Sequence, residues 1–253
     1  MKDRANLINI TIYVLLVYAL SGSLLMLHFV FTNVGDYSLT FPQFAPVLAF
    51  VILLAIRGRR GATFDVKHSF RLSKNALIYG LGSILFIFVV FLIFGFILSA
   101  SGKPFTHWET PSLPISILCI LLGCIGEETG WRGFLLPSLN RNLSLIMSSL
   151  VIGIIWGAWH FDFENGVIGY LFSILFMTSL SVIMSWVQTK SNGSIIPAIL
   201  FHFVVNICAH TILVNMDFSV YMILSATLAC LGFILFFVDR RTFLSKVDQP
   251  DVS

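Results

Sequence analysis

The chain is short of charge: only 11% of its 253 residues are Asp, Glu, Lys or Arg, where an ordinary soluble domain carries roughly 25%. With 57% hydrophobic residues and a mean hydropathy of +0.94, that shortage excludes a water-soluble globule and a disordered chain. Cysteine is scarce too. Cys119, Cys124, Cys208 and Cys230 all lie in apolar runs without CxxC spacing, which argues against a disulfide framework or a Cys-ligated metal. The chain has no HExxH, no GxSxG and no paired membrane aspartates, so three familiar hydrolytic chemistries lack their residues. It has no internal repeat and no low-complexity linker. Met1-Lys2-Asp3-Arg4 precedes an apolar run long enough to span, so no cleavable leader is expected.

Long apolar runs recur at about residues 8–32, 44–56, 76–99, 114–136, 145–161, 167–187, 195–214 and 219–238, most of them near the ~20 residues that cross the hydrocarbon core. The pattern predicts an all-α polytopic membrane bundle of about eight transmembrane helices, one integral membrane domain over 1–253. The second run is short and begins at Pro42 and Pro46, which predicts a tilted or re-entrant segment. Orientation follows from Lys and Arg, which collect in cytoplasmic loops. With the N-terminus inside, Lys2, Arg4, Arg57, Arg59, Arg60, Lys67, Arg71, Lys74, Arg132, Arg141, Lys190, Arg240, Arg241 and Lys246 fall on the cytoplasmic side and only Lys103 outside. Both termini are therefore expected in the cytoplasm. The net charge of +3 is a topology signal, so the lipid bilayer is expected as a partner and nucleic acid is not.

Against this background the segment Gly126-Glu127-Glu128-Thr129-Gly130-Trp131-Arg132 stands out, because a charged side chain at the centre of a spanning helix costs roughly 2.5–3.5 kcal/mol even on a lenient scale. Residues four apart on a helix share a face, so Glu128 and Arg132 form a favourable intrahelical ion pair and Glu127 is left as the free carboxylate. Gly123, Gly126, Gly130 and Gly133 form a small-residue stripe that invites a close neighbour, as does the Gly153/Gly157 pair. Trp156 and His160 share one face of the fifth helix, and His202 and Asn206 one face of the seventh. Each could serve only to glue helices together. A carboxylate, two imidazoles and an amide on three glycine-rich helices more readily make one site.

That set can activate water at Glu127 with His160 beside it, and hold an oxyanion with His202 and Asn206. Equally, Glu127, His160 and His202 are a two-histidine, one-carboxylate set able to hold zinc with one position open. The residues leave metal-free and zinc-assisted hydrolysis both open. Expected depths of ~15 Å for Glu127 above Pro137 and ~11 Å for His202 above Ile195 predict a pocket opening to the cytoplasmic side.

Glu127-Glu128-x-x-x-Arg132, Trp156-x-x-x-His160 and His202-x-x-x-Asn206, in that order on successive helices, resemble the CPBP family of intramembrane proteases, which includes the CAAX prenyl endopeptidases and bacteriocin-immunity-like members. The resemblance spans a core of about 113–210. It implies an intramembrane endopeptidase acting on a membrane-associated peptide or protein substrate. It makes Glu127 the water-activating base with His160 beside it, His202 and Asn206 metal ligands or oxyanion donors, and Glu128, Arg132 and Trp156 supporting residues. The family pattern has Phe where this chain has Trp156. A catalytically silent scaffold or immunity protein, and a proton-coupled transporter, are the competing readings; the inverted repeats a transporter would show are not evident.

Overall fold

The computed structural model describes residues 2–31, 37–58, 65–102, 109–212 and 216–246, apart from the side chains of 2–4 and 66. The sequence-based placements of Arg59, Arg60 and Lys103 lie outside the described residues, as do the side chains of Lys2 and Arg4. Every apolar run forms a helix, and turn formers set the ends. Helix α1 (Lys2–Val30) is followed by a 3-10 turn, Phe41–Phe44, that feeds α2 (Ala45–Arg57) with Pro46 in its first turn, where the missing N–H costs nothing. A short α3 (Val66–Ser69) precedes α4 (Lys74–Ala100), capped by Ser73 accepting the Ala76 N–H. Helix α5 (Leu113–Glu128), with Pro114 in its first turn, continues through a π-helical stretch, Thr129–Leu135, into α6 (Leu136–Asn140). Then come α7 (Leu145–Trp159), α8 (Gly166–Lys190), α9 (Ile196–Thr211), α10 (Phe218–Val238) and α11 (Arg240–Leu244). No strand occurs among the described residues.

Five of these stretches are long and apolar enough to cross a membrane: α1, α4, Leu113–Asn140, α8 and α10. The other three, Phe41–Arg57, α7 and α9, are shorter apolar helices. Eight apolar helical stretches thus match the eight runs in the sequence, while five have full spanning length. Leu81, Phe96, Phe233 and Phe237 point away from the bundle, the lipid-facing shell of a helical membrane protein.

Consecutive long helices alternate in direction. At one end of the bundle Arg57 donates to Asn9 at 3.1 Å, Asn6 to the Ser138 carbonyl at 2.8 Å, and the Leu145 N–H to the Ser245 carbonyl at 3.1 Å. Lys190 pairs with Asp239 at 2.8 Å there; that ammonium, with the Trp186 indole N–H beside it, pulls the Asp239 carboxyl down to about 2. At the opposite end Trp159 donates to Ser21 at 2.6 Å and Tyr170 to the Ala158 carbonyl at 3.1 Å.

The glycines act as contact points between helices, where the absence of a Cβ permits close approach. A Cβ on Gly130 would stand 2.4 Å from the Pro46 Cβ and 2.5 Å from the Tyr13 hydroxyl. On Gly123 it would strike the Gln43 amide at 2.7 Å. Gly153 and Gly157 let α8 approach equally closely, with the Thr178 and Ile174 Cα atoms at 2.4 and 2.6 Å from the Cβ positions. The stripe on α5 therefore draws the 3-10 turn and α2 against the centre of the bundle, and the GxxxG of α7 sets the α7–α8 contact.

Candidate active site

The two adjacent carboxylates of α5 have different surroundings. Glu128 is fully buried; its Oε1 accepts from Arg132 Nη1 at 3.2 Å and lies 3.0 Å from His202 Nδ1. Arg132 is equally buried and places its guanidinium over the Trp156 ring, 4.6 Å from the centroid, so a cation–π contact supplements the ion pair. Arg132 is therefore no loop charge, which corrects its expected place on the cytoplasmic side.

Glu127 lies one residue earlier and turns the other way. Its Oε2 accepts the Trp156 indole N–H at 2.8 Å, and its carboxylate lines a cavity of about 410 Å³. Sequence geometry leaves Glu127 without a partner on its own helix and looks to His160, His202 and Asn206; the hydrogen bond comes from Trp156. A Phe at that position could keep the ring contacts but could not donate to the carboxylate.

All four residues expected to be catalytic, Glu127, His160, His202 and Asn206, line that cavity, and Trp156 lines it with them. His160 caps α7 and holds its Nδ1 2.8 Å from the Trp156 carbonyl, an acceptor that makes Nδ1 the protonated nitrogen and leaves Nε2 as a base. His202, with Nδ1 engaged by Glu128, presents Nε2; its ring packs edge-on to Trp156 at 5.1 Å. Asn206 donates one amide N–H to the Cys124 sulfur at 3.4 Å, leaving the other to the cavity. Phe91, Phe176, Met177, Leu180 and Val205 supply apolar wall.

Several contributors carry no motif. Gln43 reaches the cavity from the 3-10 turn, and Asp162, Ser173 and Tyr221 line it from α7's end, α8 and α10. The only sequence signal for Gln43 was the small-residue stripe opposite it. A further one is Gln188, buried on α8, whose amide donates to the Arg132 main-chain carbonyl at 3.0 Å. That carbonyl lies in the π-helical stretch Thr129–Leu135, where the widened turn disturbs the regular ladder and a side-chain donor compensates.

The donor set fits a metal poorly. Among the described residues no three His, Cys, Asp or Glu side chains stand close enough together as arranged to hold a metal ion.

Residues 109–208 match the family model described as type II CAAX prenyl endopeptidase Rce1-like, the stretch that contains all three motifs. The chain is 30% identical over 152 residues to CAAX prenyl protease 2 of Methanococcus maripaludis, covering 55% of each chain. It is 24% identical over 204 residues to Lysostaphin resistance protein A of Staphylococcus haemolyticus, covering 76% of this chain and 54% of that one. The chain thus spans about half the length of the curated relatives it matches. The ordered motifs on helices α5 to α9 thus fall within the stretch, residues 109–208, that matches the type II CAAX prenyl endopeptidase Rce1-like family model.

Proposed function

We propose that this protein is a membrane protease, an intramembrane endopeptidase that hydrolyses a peptide bond with water activated at Glu127. The observation that carries this reading is the convergence of Glu127, His160, His202 and Asn206, from three separate helices, on one cavity. In the reaction the free Glu127 Oε1 takes a proton from water as the oxygen attacks the scissile carbonyl carbon. The negative charge that develops on the carbonyl oxygen is met by the free Asn206 N–H and by an Nε2–H of His202. Collapse of the tetrahedral intermediate breaks the C–N bond, and the proton held by Glu127 passes to the leaving amine, directly or through His160 Nε2. The apolar wall excludes bulk water, which strengthens each of these electrostatic contacts. No step is routed through zinc.

The test is cleavage of a quenched peptide by the purified protein in detergent, compared with Glu127→Ala and His160→Ala, alongside metal analysis of the active preparation. Cleavage by wild type and loss of about 10²–10⁴-fold in Glu127→Ala is expected for removal of a general base. Undiminished cleavage by Glu127→Ala would overturn the mechanism. Stoichiometric zinc that disappears in His202→Ala would transfer the role of water activation to a metal.

A further inference from the structure

The cavity has a direction, and the charges on the bundle say which way it points. Glu127 lies midway along Leu113–Asn140, and from there the lining extends toward one end only. Asp162 follows the end of α7, Met216 and Tyr221 sit just before and in the first turn of α10, Gln43 precedes α2, and Ser173 is in the first half of α8. All belong to the end where Trp159 meets Ser21. The backbone helps turn Asp162 back toward the lining, since Phe161 between it and His160 adopts φ 49°, a left-handed conformation uncommon for a bulky residue.

Apart from Arg132, buried within the bundle, the described cations sit at the other end. Arg57, Lys67, Arg71 and Lys74 surround α3, Arg141 follows α6, Lys190 ends α8, and Arg240, Arg241 and Lys246 close the chain. Among the described residues the cavity end holds no Lys or Arg and carries Glu109, Asp162, Glu164 and Asp217. Lys and Arg collect on the cytoplasmic side of a membrane protein, each worth about 1 kcal/mol near an anionic cytoplasmic leaflet. The same charge pattern that predicts cytoplasmic termini therefore turns the cavity mouth away from the cytoplasm, opposite to the opening inferred from helix depth in the sequence.

We propose that the cavity opens to the extracytoplasmic face, so that the protein takes peptide segments presented at the outer surface of the membrane rather than cytoplasmic C-terminal tails. The direction of opening stands on the place of the cavity in the bundle and on the charge pattern, and the substrate class rests in addition on the hydrolase reading. The charge of the mouth refines the class. The lining contains the carboxylates Glu127 and Asp162 and no Lys or Arg, so it favours a neutral or cationic segment over one that ends in a free carboxylate.

The experiment has two arms. In the first, Asp162→Cys and Met216→Cys at the mouth and Arg240→Cys at the basic end are exposed in intact cells to a membrane-impermeant thiol reagent, with the wild-type chain as blank. The expected result is modification of the mouth cysteines in intact cells, and of Arg240→Cys only after permeabilisation. Two mouth positions are used so that one misfolded variant does not decide the outcome. Modification of Arg240→Cys from outside, or of both mouth cysteines only after permeabilisation, overturns the proposal. In the second arm, an impermeant quenched peptide is added outside sealed right-side-out vesicles and to protein in detergent. Cleavage in both supports the proposal. Cleavage in detergent that is lost in sealed vesicles overturns the direction of access and leaves the hydrolase reading standing. No cleavage in detergent removes the hydrolase reading, while the labelling arm still decides the direction.

Discussion

Glu127 and Glu128 are neighbours in the chain yet occupy two different regions of the bundle. The Glu128 side is closed to solvent: carboxylate, guanidinium and imidazole contact one another there, with Glu128 Oε2 and Arg132 Nε and Nη2 buried without a hydrogen-bond partner. On the Glu127 side a single indole N–H reaches one oxygen, and the rest of the carboxylate faces a cavity. An ionised group enclosed by its counter-charges is structural, because its free energy is spent on holding helices together. One whose carboxylate lines a cavity shared with His160, His202 and Asn206 is available for chemistry. The difference follows from elementary geometry, since adjacent helical residues point about 100° apart.

Breaking the closed side gives the largest expected effect on stability. Glu128→Ala leaves Arg132 as a buried unpaired charge and should cost about 3–5 kcal/mol, read as a large drop in the melting temperature of the detergent-solubilised protein. A small drop would mean that water reaches Arg132 and the closed side is not closed. Next in size, Gly157→Ala should lower stability by roughly 1–3 kcal/mol, because the added methyl collides with the Ile174 backbone. The same measurement on Gly82→Ala, where nothing lies within 4 Å, should show no loss.

Trp156→Phe sharpens the comparison on the open side. It keeps an aromatic ring for Arg132 and His202 but deletes the hydrogen bond to Glu127, and a hydrogen bond to a charged group is worth about 1.5–3 kcal/mol. Peptide cleavage should fall by about one to two orders of magnitude in kcat, with the fold retained. An unchanged kcat would mean that the indole does not position the carboxylate. The smallest effect belongs outside the membrane. Asp239→Asn should cost at most about 1 kcal/mol, since its bridge to Lys190 is partly exposed. The Asp239 carboxyl is lowered from 3.8 to about 2. Its contribution is therefore complete above its ordinary range and disappears as pH falls toward the lower value. A melting profile that loses the difference between Asp239→Asn and wild type across that window checks the sign.

Much of this was legible in the sequence, where residue spacing and charge alone decide the outcome. Eight apolar runs become eight helical stretches, the Glu128–Arg132 pair forms on adjacent turns, and the glycines mark where α2 and α8 come close. Residues whose role depends on distant partners were not legible. The π-helical stretch Thr129–Leu135 has no local signature, because the donor beside it, Gln188, is 56 residues away from Arg132. His202 faces Glu128 and not Glu127 because the packing of α9 against α5 sets the direction of its ring, which spacing within α9 cannot fix. Gln43, Asp162, Ser173 and Tyr221 reach the cavity from a turn, a loop and two helices that carry no motif. Five of the eight stretches have spanning length, so counting apolar runs gave the arrangement of helices but not their lengths.

The division between the two carboxylates is tested most directly by measuring peptide cleavage and thermal melting together for purified Glu127→Gln and Glu128→Gln. The account predicts that Glu127→Gln keeps the wild-type melting temperature and loses about 10²–10⁴-fold in kcat, while Glu128→Gln melts well below wild type. Cleavage at the wild-type rate by Glu127→Gln, or the same loss of stability in both variants, would contradict it.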